Sequence, residues 1–185
     1  MRIVAGTWRG RPLVTTKSAS TRPTADRVRQ ALFDMLTHAP WSVPWPDCTV
    51  LDAFAGTGAL GLEALSRGAP NAAFFETDPA ARHCLHANIE ALGASARSIV
   101  GVDSTRPSPP GPHGARSLVL LDPPYRQDLI ARALPALRHS GWIAAGALIV
   151  AETARDEDPP VPPDTLLAER HHGAARLSVW RLGSL

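Results

Sequence analysis

Residues 49–61, TVLDAFAGTGALG, constrain this chain more than any other stretch. Thr49, Val50 and Leu51 form a β-branched, apolar run expected of a buried strand, and Gly56, Gly58 and Gly61 punctuate a tight turn before a helical pattern over residues 60–67. A strand, a glycine turn and a helix make a cradle for a cofactor. The glycines match G-x-G-x-x-G, and Glu76 lies about twenty residues after the first of them, as in the dinucleotide fingerprint.

Asp52 separates the possible occupants of that cradle. It stands at the strand end, four residues before the first glycine. A dinucleotide site aims backbone N–H groups at a pyrophosphate, and a carboxylate there repels the anion. The same carboxylate attracts a cation. S-adenosylmethionine carries an ammonium, a sulfonium and a ribose diol but no phosphate, so it suits the loop better than NAD. Asp52 is expected to face its methionyl end, Phe54, Gly56, Thr57 and Gly58 to line the loop, and Glu76 with Thr77 to meet the ribose hydroxyls.

A second signal follows at Asp122-Pro123-Pro124-Tyr125. Residues 117–121 form a continuous apolar strand that delivers this tetrapeptide to the end of a sheet where open α/β folds place their ligands. The chemistry it suits is attack by an exocyclic base amine, whose lone pair is delocalised into the ring. Asp122 and the carbonyl of Pro123 or Pro124 accept the two N–H bonds, and Tyr125 stacks on an extruded base. Two prolines stiffen the loop and remove its N–H donors.

The remaining chain supplies a sheet around these two loops. Strands are expected over residues 72–76, 98–102, 147–152, 166–172 and 175–182, with helices over 79–92 and 127–137. Successive βα units imply parallel strands with right-handed crossovers. Asp103 ends the third strand and is either an acceptor for the adenine amino group or an ordinary loop residue. Glu152 ends the fifth, beside the site, where it either touches substrate or, as the more expected role, forms a surface salt bridge. Residues 105–114 hold four prolines and two glycines and form an irregular loop, and residues 156–164 form an acidic, proline-rich one. Residues 2–14 alternate like a short β-hairpin with Gly6 and Gly10 at turns. Residues 17–21 are polar, Thr24 is a candidate N-cap, and Val28, Leu32, Phe33 and Leu36 recur at helical spacing.

At 185 residues the chain has room for one well-buried domain, with residues 1–22 as a basic arm and 23–185 as the core. No run is long enough to span a bilayer and no signal-peptide core is evident, so a cytoplasmic protein is expected. Cys48 and Cys84 are too few for a disulfide framework or zinc site, and no metal is expected. Charge is uneven. Residues 1–30 carry Arg2, Arg9, Arg11, Lys17, Arg22, Arg27 and Arg29 against Asp26, a net of +6, while the remainder is −4. A basic arm before a mildly acidic body is what contact with a phosphate backbone needs, and arginine adds bidentate contacts and stacking.

In order and spacing, RIVAGTWRGRPL, TRPTADRVRQALFDML, LDAFAGTGALGLEALSRGA, FFETD and LLDPPY resemble the bacterial RsmD family of 16S ribosomal RNA guanine-N2 methyltransferases. The resemblance covers nearly the whole chain. It implies a Rossmann-like, S-adenosylmethionine-dependent α/β fold: a seven-stranded, mostly parallel sheet with helices on both faces and an N-terminal hairpin. It further implies methyl transfer to a guanine N2 amine of 16S ribosomal RNA in the small subunit, by a monomer. Asp52, Gly56, Gly58 and Glu76 match the cofactor motifs, and residues 122–125 the catalytic loop. Gln30 and Asp34 depart from the pattern, standing where Glu and Asn are frequent. Two other classes stay open: an amino-methyltransferase acting on adenine N6 in RNA or DNA, and an idle RNA-binding module on the same fold.

Overall fold

The computed structural model describes residues 1–16, 23–158 and 166–183, with side chains described from residue 26 in the second segment. Residues 17–21, Arg22, the Thr24 side chain and residues 159–164 of the acidic loop lie outside it. Helix α1 (Pro23–His38) precedes strand β1 (Val50–Asp52), helix α2 (Ala59–Ser66), β2 (Ala72–Phe75) and α3 (Pro79–Ala91). Then come β3 (Ser98–Gly101), β4 (Arg116–Leu121), α4 (Leu129–His139), β5 (Ile143–Ala154), β6 (Leu166–His172) and β7 (Ala175–Arg181).

All seven strands form one sheet in the order β3-β2-β1-β4-β5-β7-β6. Strands β1 to β5 pair parallel, and β7 runs antiparallel between β5 and β6. Chain order reverses between β1 and β4, which opens a crevice at their C-terminal ends. A parallel sheet must be covered on both faces, and alternation along each strand sorts its side chains between two cores. Val50, Leu118, Leu120, Leu148 and Val150 pack with Leu32, Phe33 and Leu36 of α1, Leu62 and Leu65 of α2 and Leu85 of α3. Leu51, Val119, Leu121 and Ile149 pack on the opposite face with Ile130, Ala133 and Leu137 of α4 and with Trp142.

The expected short N-terminal hairpin is present: around the antiparallel bridge of Arg2 with Pro12, Ile3 N–H donates to the Arg11 carbonyl and Leu13 N–H to the Met1 carbonyl. The N–H groups between them bind α2: Val4 and Ala5 donate to the Glu63 carboxylate at 2.7 and 2.9 Å, Thr7 to the Ser66 carbonyl and Trp8 to the Ser66 hydroxyl. Gly6 allows this approach, because at φ +79° a Cβ would lie 1.9 Å from the Ser66 carbonyl oxygen. Ile3 and Leu13 complete the docking by joining the core. Strand β5 begins earlier than expected, at Ile143, because a bulge with Gly146 at φ +69° restores pairing with β4. Helix α4 starts two residues late, since Asp128 adopts a left-handed conformation at φ +52°.

Candidate active site

The loop after β1 is built from its own hydrogen bonds. Ala55 N–H donates to the Phe75 carbonyl, Gly58 N–H to the Ala55 carbonyl, and Gly56 N–H to Glu76 Oε2 at 2.7 Å. Asp78 N–H donates to Glu76 Oε1 at 2.7 Å, so Glu76 ties the ends of β1 and β2 together while still lining the cleft. The three glycines divide the work. Gly56, at φ +54° with nothing within 4 Å of where a Cβ would stand, borders open space. Gly61 lies against the Phe74 ring and lets α2 pack closely on β2.

Asp52 is 1% exposed. Its Oδ2 accepts from Gly61 N–H at 2.9 Å, and its Oδ1 is buried with no partner in the protein. Burial pushes its carboxyl up to about 7, with the Gly61 bond opposing and the Glu76 charge adding. A buried acceptor without a donor at a helix start is suited to a cationic ligand group, which supplies the bond and restores the charge.

A cleft of about 540 Å³ joins Phe54, Gly56, Glu76, Thr77, Asp103, Asp122, Pro123 and Pro124. Asp103 accepts from Thr105 N–H and hydroxyl at 2.8 and 2.7 Å and from Arg106 Nε. These bonds, the Thr105 hydroxyl foremost, hold its carboxyl below the usual carboxylate range. Asp52 is not among the residues that line this cleft; its neighbours Ala53 and Phe54 are. Thr57 and Gly58 turn away: the Thr57 hydroxyl lies 4.0 Å from Met1 Sδ, its carbonyl accepts from Asn88, and Gly58 abuts Leu85.

Tyr125 is in a different place. It borders a second cavity of about 640 Å³ with Met1, Val28, Leu60, Glu152 and Leu177, and Asp122 lines that cavity as well as the cleft. Solvent reaches Asp122 through these openings, but protein crowds it elsewhere. Desolvation, then the Glu152 and Asp52 charges, raise its pKa well above the ordinary carboxylate value. The Tyr125 hydroxyl donates to Glu152 Oε1 at 2.5 Å, and burial together with that bond keeps the phenol protonated. The salt bridge expected of Glu152 is therefore replaced by a phenol partner. The loop is strapped beyond Tyr125, where Arg126 N–H donates to Glu157 and its guanidinium bonds both Asp156 oxygens.

Among the basic residues, Arg2, Arg9, Arg11 and Arg27 are exposed. Arg29 is not: it is 5% exposed, and its guanidinium serves the Arg2 carbonyl, Asp26 and the buried Glu63 carboxylate, which also pairs with Arg67. Its expected contact with RNA is thus withdrawn. Glu63, Ser66 and Asn88, which anchor residues 4–14, escaped sequence reasoning. The available signal was an acid in the middle of an otherwise apolar helix, ALGLEALS. Among the described residues no three of His, Cys, Asp or Glu converge to hold a metal, and no helix is long and apolar enough to cross a membrane.

The switch-point crevice, the glycine loop over a buried carboxylate and the Asp-Pro-Pro-Tyr loop beside it define a Rossmann-like methyltransferase. Residues 1–181 match the family model described as Conserved hypothetical protein 95. The chain is 38% identical over 180 residues to ribosomal RNA small subunit methyltransferase D of Escherichia coli K12, spanning 96% of this chain and 87% of that one. The protein of the same name from Haemophilus influenzae is 37% identical, over 98% and 93%. The chain belongs to this family, the RsmD methyltransferases. Among solved structures, putative methyltransferase yhhF from Escherichia coli superposes with a TM-score of 0.81 at 34% identity, covering 100% of this chain and 99% of that one. An RNA methyltransferase from Salinibacter ruber, in complex with S-adenosyl-L-homocysteine, shares the fold at a TM-score of 0.59 and 15% identity, over 92% and 94%.

Proposed function

We propose that this protein transfers a methyl group from S-adenosylmethionine to the exocyclic N2 amine of a guanine in 16S ribosomal RNA of the small subunit. One observation carries the reading: Asp122 is shared by the cleft of the glycine loop and by the cavity beside Tyr125. Donor and acceptor approach from two sides and meet at one carboxylate. The names of the Escherichia coli and Haemophilus influenzae relatives support small-subunit ribosomal RNA as the substrate class.

S-adenosylmethionine supplies a methyl group on a positively charged sulfur. Asp52 holds its cationic methionyl end, Glu76 accepts from the ribose hydroxyls, Asp103 accepts from the adenine amino group, and Phe54, Gly56 and Thr77 complete the walls. On the other side, Asp122 and a proline carbonyl accept the amine hydrogens and turn the nitrogen lone pair out of the ring plane. Tyr125, fixed by Glu152, stacks on the base. Orientation supplies most of the acceleration, up to about 7–11 kcal/mol for well-placed reactants.

Docking of residues 1–16 on α2 and α3 turns the basic arm into part of the surface. Arg2, Arg9, Arg11 and Arg27 then meet the RNA backbone, joined by Arg22. This reading puts the protein with small subunits in the bacterial cytoplasm, acting as a monomer without a metal. The test is transfer of labelled methyl to small subunits from cells lacking the protein, followed by nucleoside digestion. Label in N2-methylguanosine is expected. Label in N6-methyladenosine moves the substrate to adenine, and no label with cofactor bound refutes the substrate.

A further inference from the structure

We propose that Glu152 reads the target base: together with Asp122 it selects an amine flanked by a ring N–H, which guanine has and adenine lacks. The inference rests on the guanine-amine reading above and adds the residue that discriminates.

Register places the two carboxylates together. Leu121 of β4 pairs with Ala151 of β5, so Asp122 and Glu152 follow in step on neighbouring parallel strands, whose axes lie about 4.8 Å apart. Alternation puts both on the face of Leu120 and Val150, and all four side chains border the cavity that holds Tyr125. The Tyr125 hydroxyl fixes Glu152 through Oε1 and leaves the carboxylate further acceptor capacity. Among the described residues, no Arg, Lys or His forms an ion pair with either acid. Arg29 borders the same cavity, but its guanidinium is taken by Asp26 and the Arg2 carbonyl.

Two uncompensated carboxylates on one apolar-walled cavity call for adjacent donors. The guanine edge presents them side by side, the N2 amine and the N1–H. Asp122 takes the amine, and Glu152 takes the N1–H. Adenine and cytosine instead carry a ring nitrogen lone pair beside the amine, which faces the Glu152 carboxylate with no hydrogen between. Sites built to hydrogen-bond a substrate group reject analogues lacking it far more strongly than apolar pockets reject a missing methylene.

The probe is 2-aminopurine, which keeps the 2-amine and lacks the N1–H. After the labelled guanine has been mapped, small subunits are reassembled around 16S RNA carrying guanine or 2-aminopurine at that position. Wild-type protein is expected to favour guanine in kcat/KM by on the order of a hundredfold or more. Glu152→Gln, whose amide offers an N–H to the unprotonated N1, is expected to bring that preference to within about tenfold. Each preference is a ratio within one preparation, so partial unfolding of the variant cancels. An unchanged preference in Glu152→Gln, or no preference in the wild type, overturns the role of Glu152 while leaving guanine as substrate. Failure of the wild type to methylate guanine at all removes the underlying reading instead.

Discussion

Replacing Asp52 by Asn tests the buried carboxylate at the centre of the cofactor loop. In the folded protein this carboxyl is pushed up to about 7, against 3.8 for an ordinary Asp. Below the lower value both folded and unfolded chains hold the proton, and there is no penalty. Between the two, only the unfolded chain ionises, so stability is lost as pH rises, and above the upper value the loss is complete. At about 1.4 kcal/mol per pH unit, the full loss is roughly 4 kcal/mol. Asparagine mimics the neutral acid: its carbonyl accepts from Gly61 N–H and nothing ionises. The difference between Asp52→Asn and wild type without cofactor is therefore expected to be almost nil at pH 4, to grow to about 2–4 kcal/mol in favour of the variant by pH 8, and to level off. For a chain of this size that is a Tm gain of roughly 4–12 °C, read by circular dichroism across a pH series. Cofactor affinity moves the opposite way, falling by about 10- to 100-fold as a charge-assisted bond disappears. A pH-independent difference, or a variant less stable than wild type at pH 8, refutes the reasoning.

Asp122→Ala is expected to lower methyl transfer by at least about a hundredfold while titration calorimetry shows S-adenosylmethionine binding within a few-fold of wild type; wild-type-like turnover rules out its role. Glu63→Ala removes the acceptor of two backbone N–H groups and the close carboxylate partner of Arg67, and takes one of its partners from Arg29, so denaturant unfolding should show a loss of about 3–5 kcal/mol, and a loss below about 1 kcal/mol contradicts the anchoring role. Neutralising Arg9, Arg11 and Arg27 together is expected to lower the melting temperature only slightly, through the lost Arg11 bond to the Ala91 carbonyl, and to reduce the slope of log affinity for small-subunit RNA against log salt by about 2–3, since each phosphate contact contributes about 0.7–0.9. An unchanged slope removes these residues from the interface.

Much of this architecture is legible in the sequence because its signals are local. The β1 strand, its glycines and Asp52 lie within thirteen residues, and each constrains the next. The apolar run into Asp122 identifies a strand end in the same way, helical spacing of apolar residues places α1, and Pro79 marks the start of α3. What stays hidden depends on partners distant in the chain. Nothing around residue 4 announces Glu63, 59 residues away, as the acceptor that docks the hairpin on α2. Arg29 carries the same letter as Arg27 but a different fate, because two residues along α1 put it on the opposite side of the helix, facing Glu63, while Arg27 faces solvent. Glu152 looks like a surface acid until β5 is registered against β4 and Tyr125 is seen to reach it. Thr57 sits in the glycine motif yet faces Met1, since the turn that exposes Gly56 rotates the next side chain inward.

The reversed strand β7 gives the fold a freedom that a wholly parallel sheet lacks. Where every strand points the same way, only the segments leading into helices reach the end of the sheet that carries the site, and altering one disturbs a crossover. Because β7 runs back along β5 from the pair Ala154–Ala175, the tight turn after β6 arrives at that end from the opposite direction. His172, Gly173 and Ala174 there form a wall of the cavity beside Tyr125. This wall belongs to a hairpin, so its length and side chains can vary without moving α2, α4 or either carboxylate loop. On the proposed function, this turn is a separate adjustment for the shape of the substrate that fits, uncoupled from the loops assigned to methyl transfer.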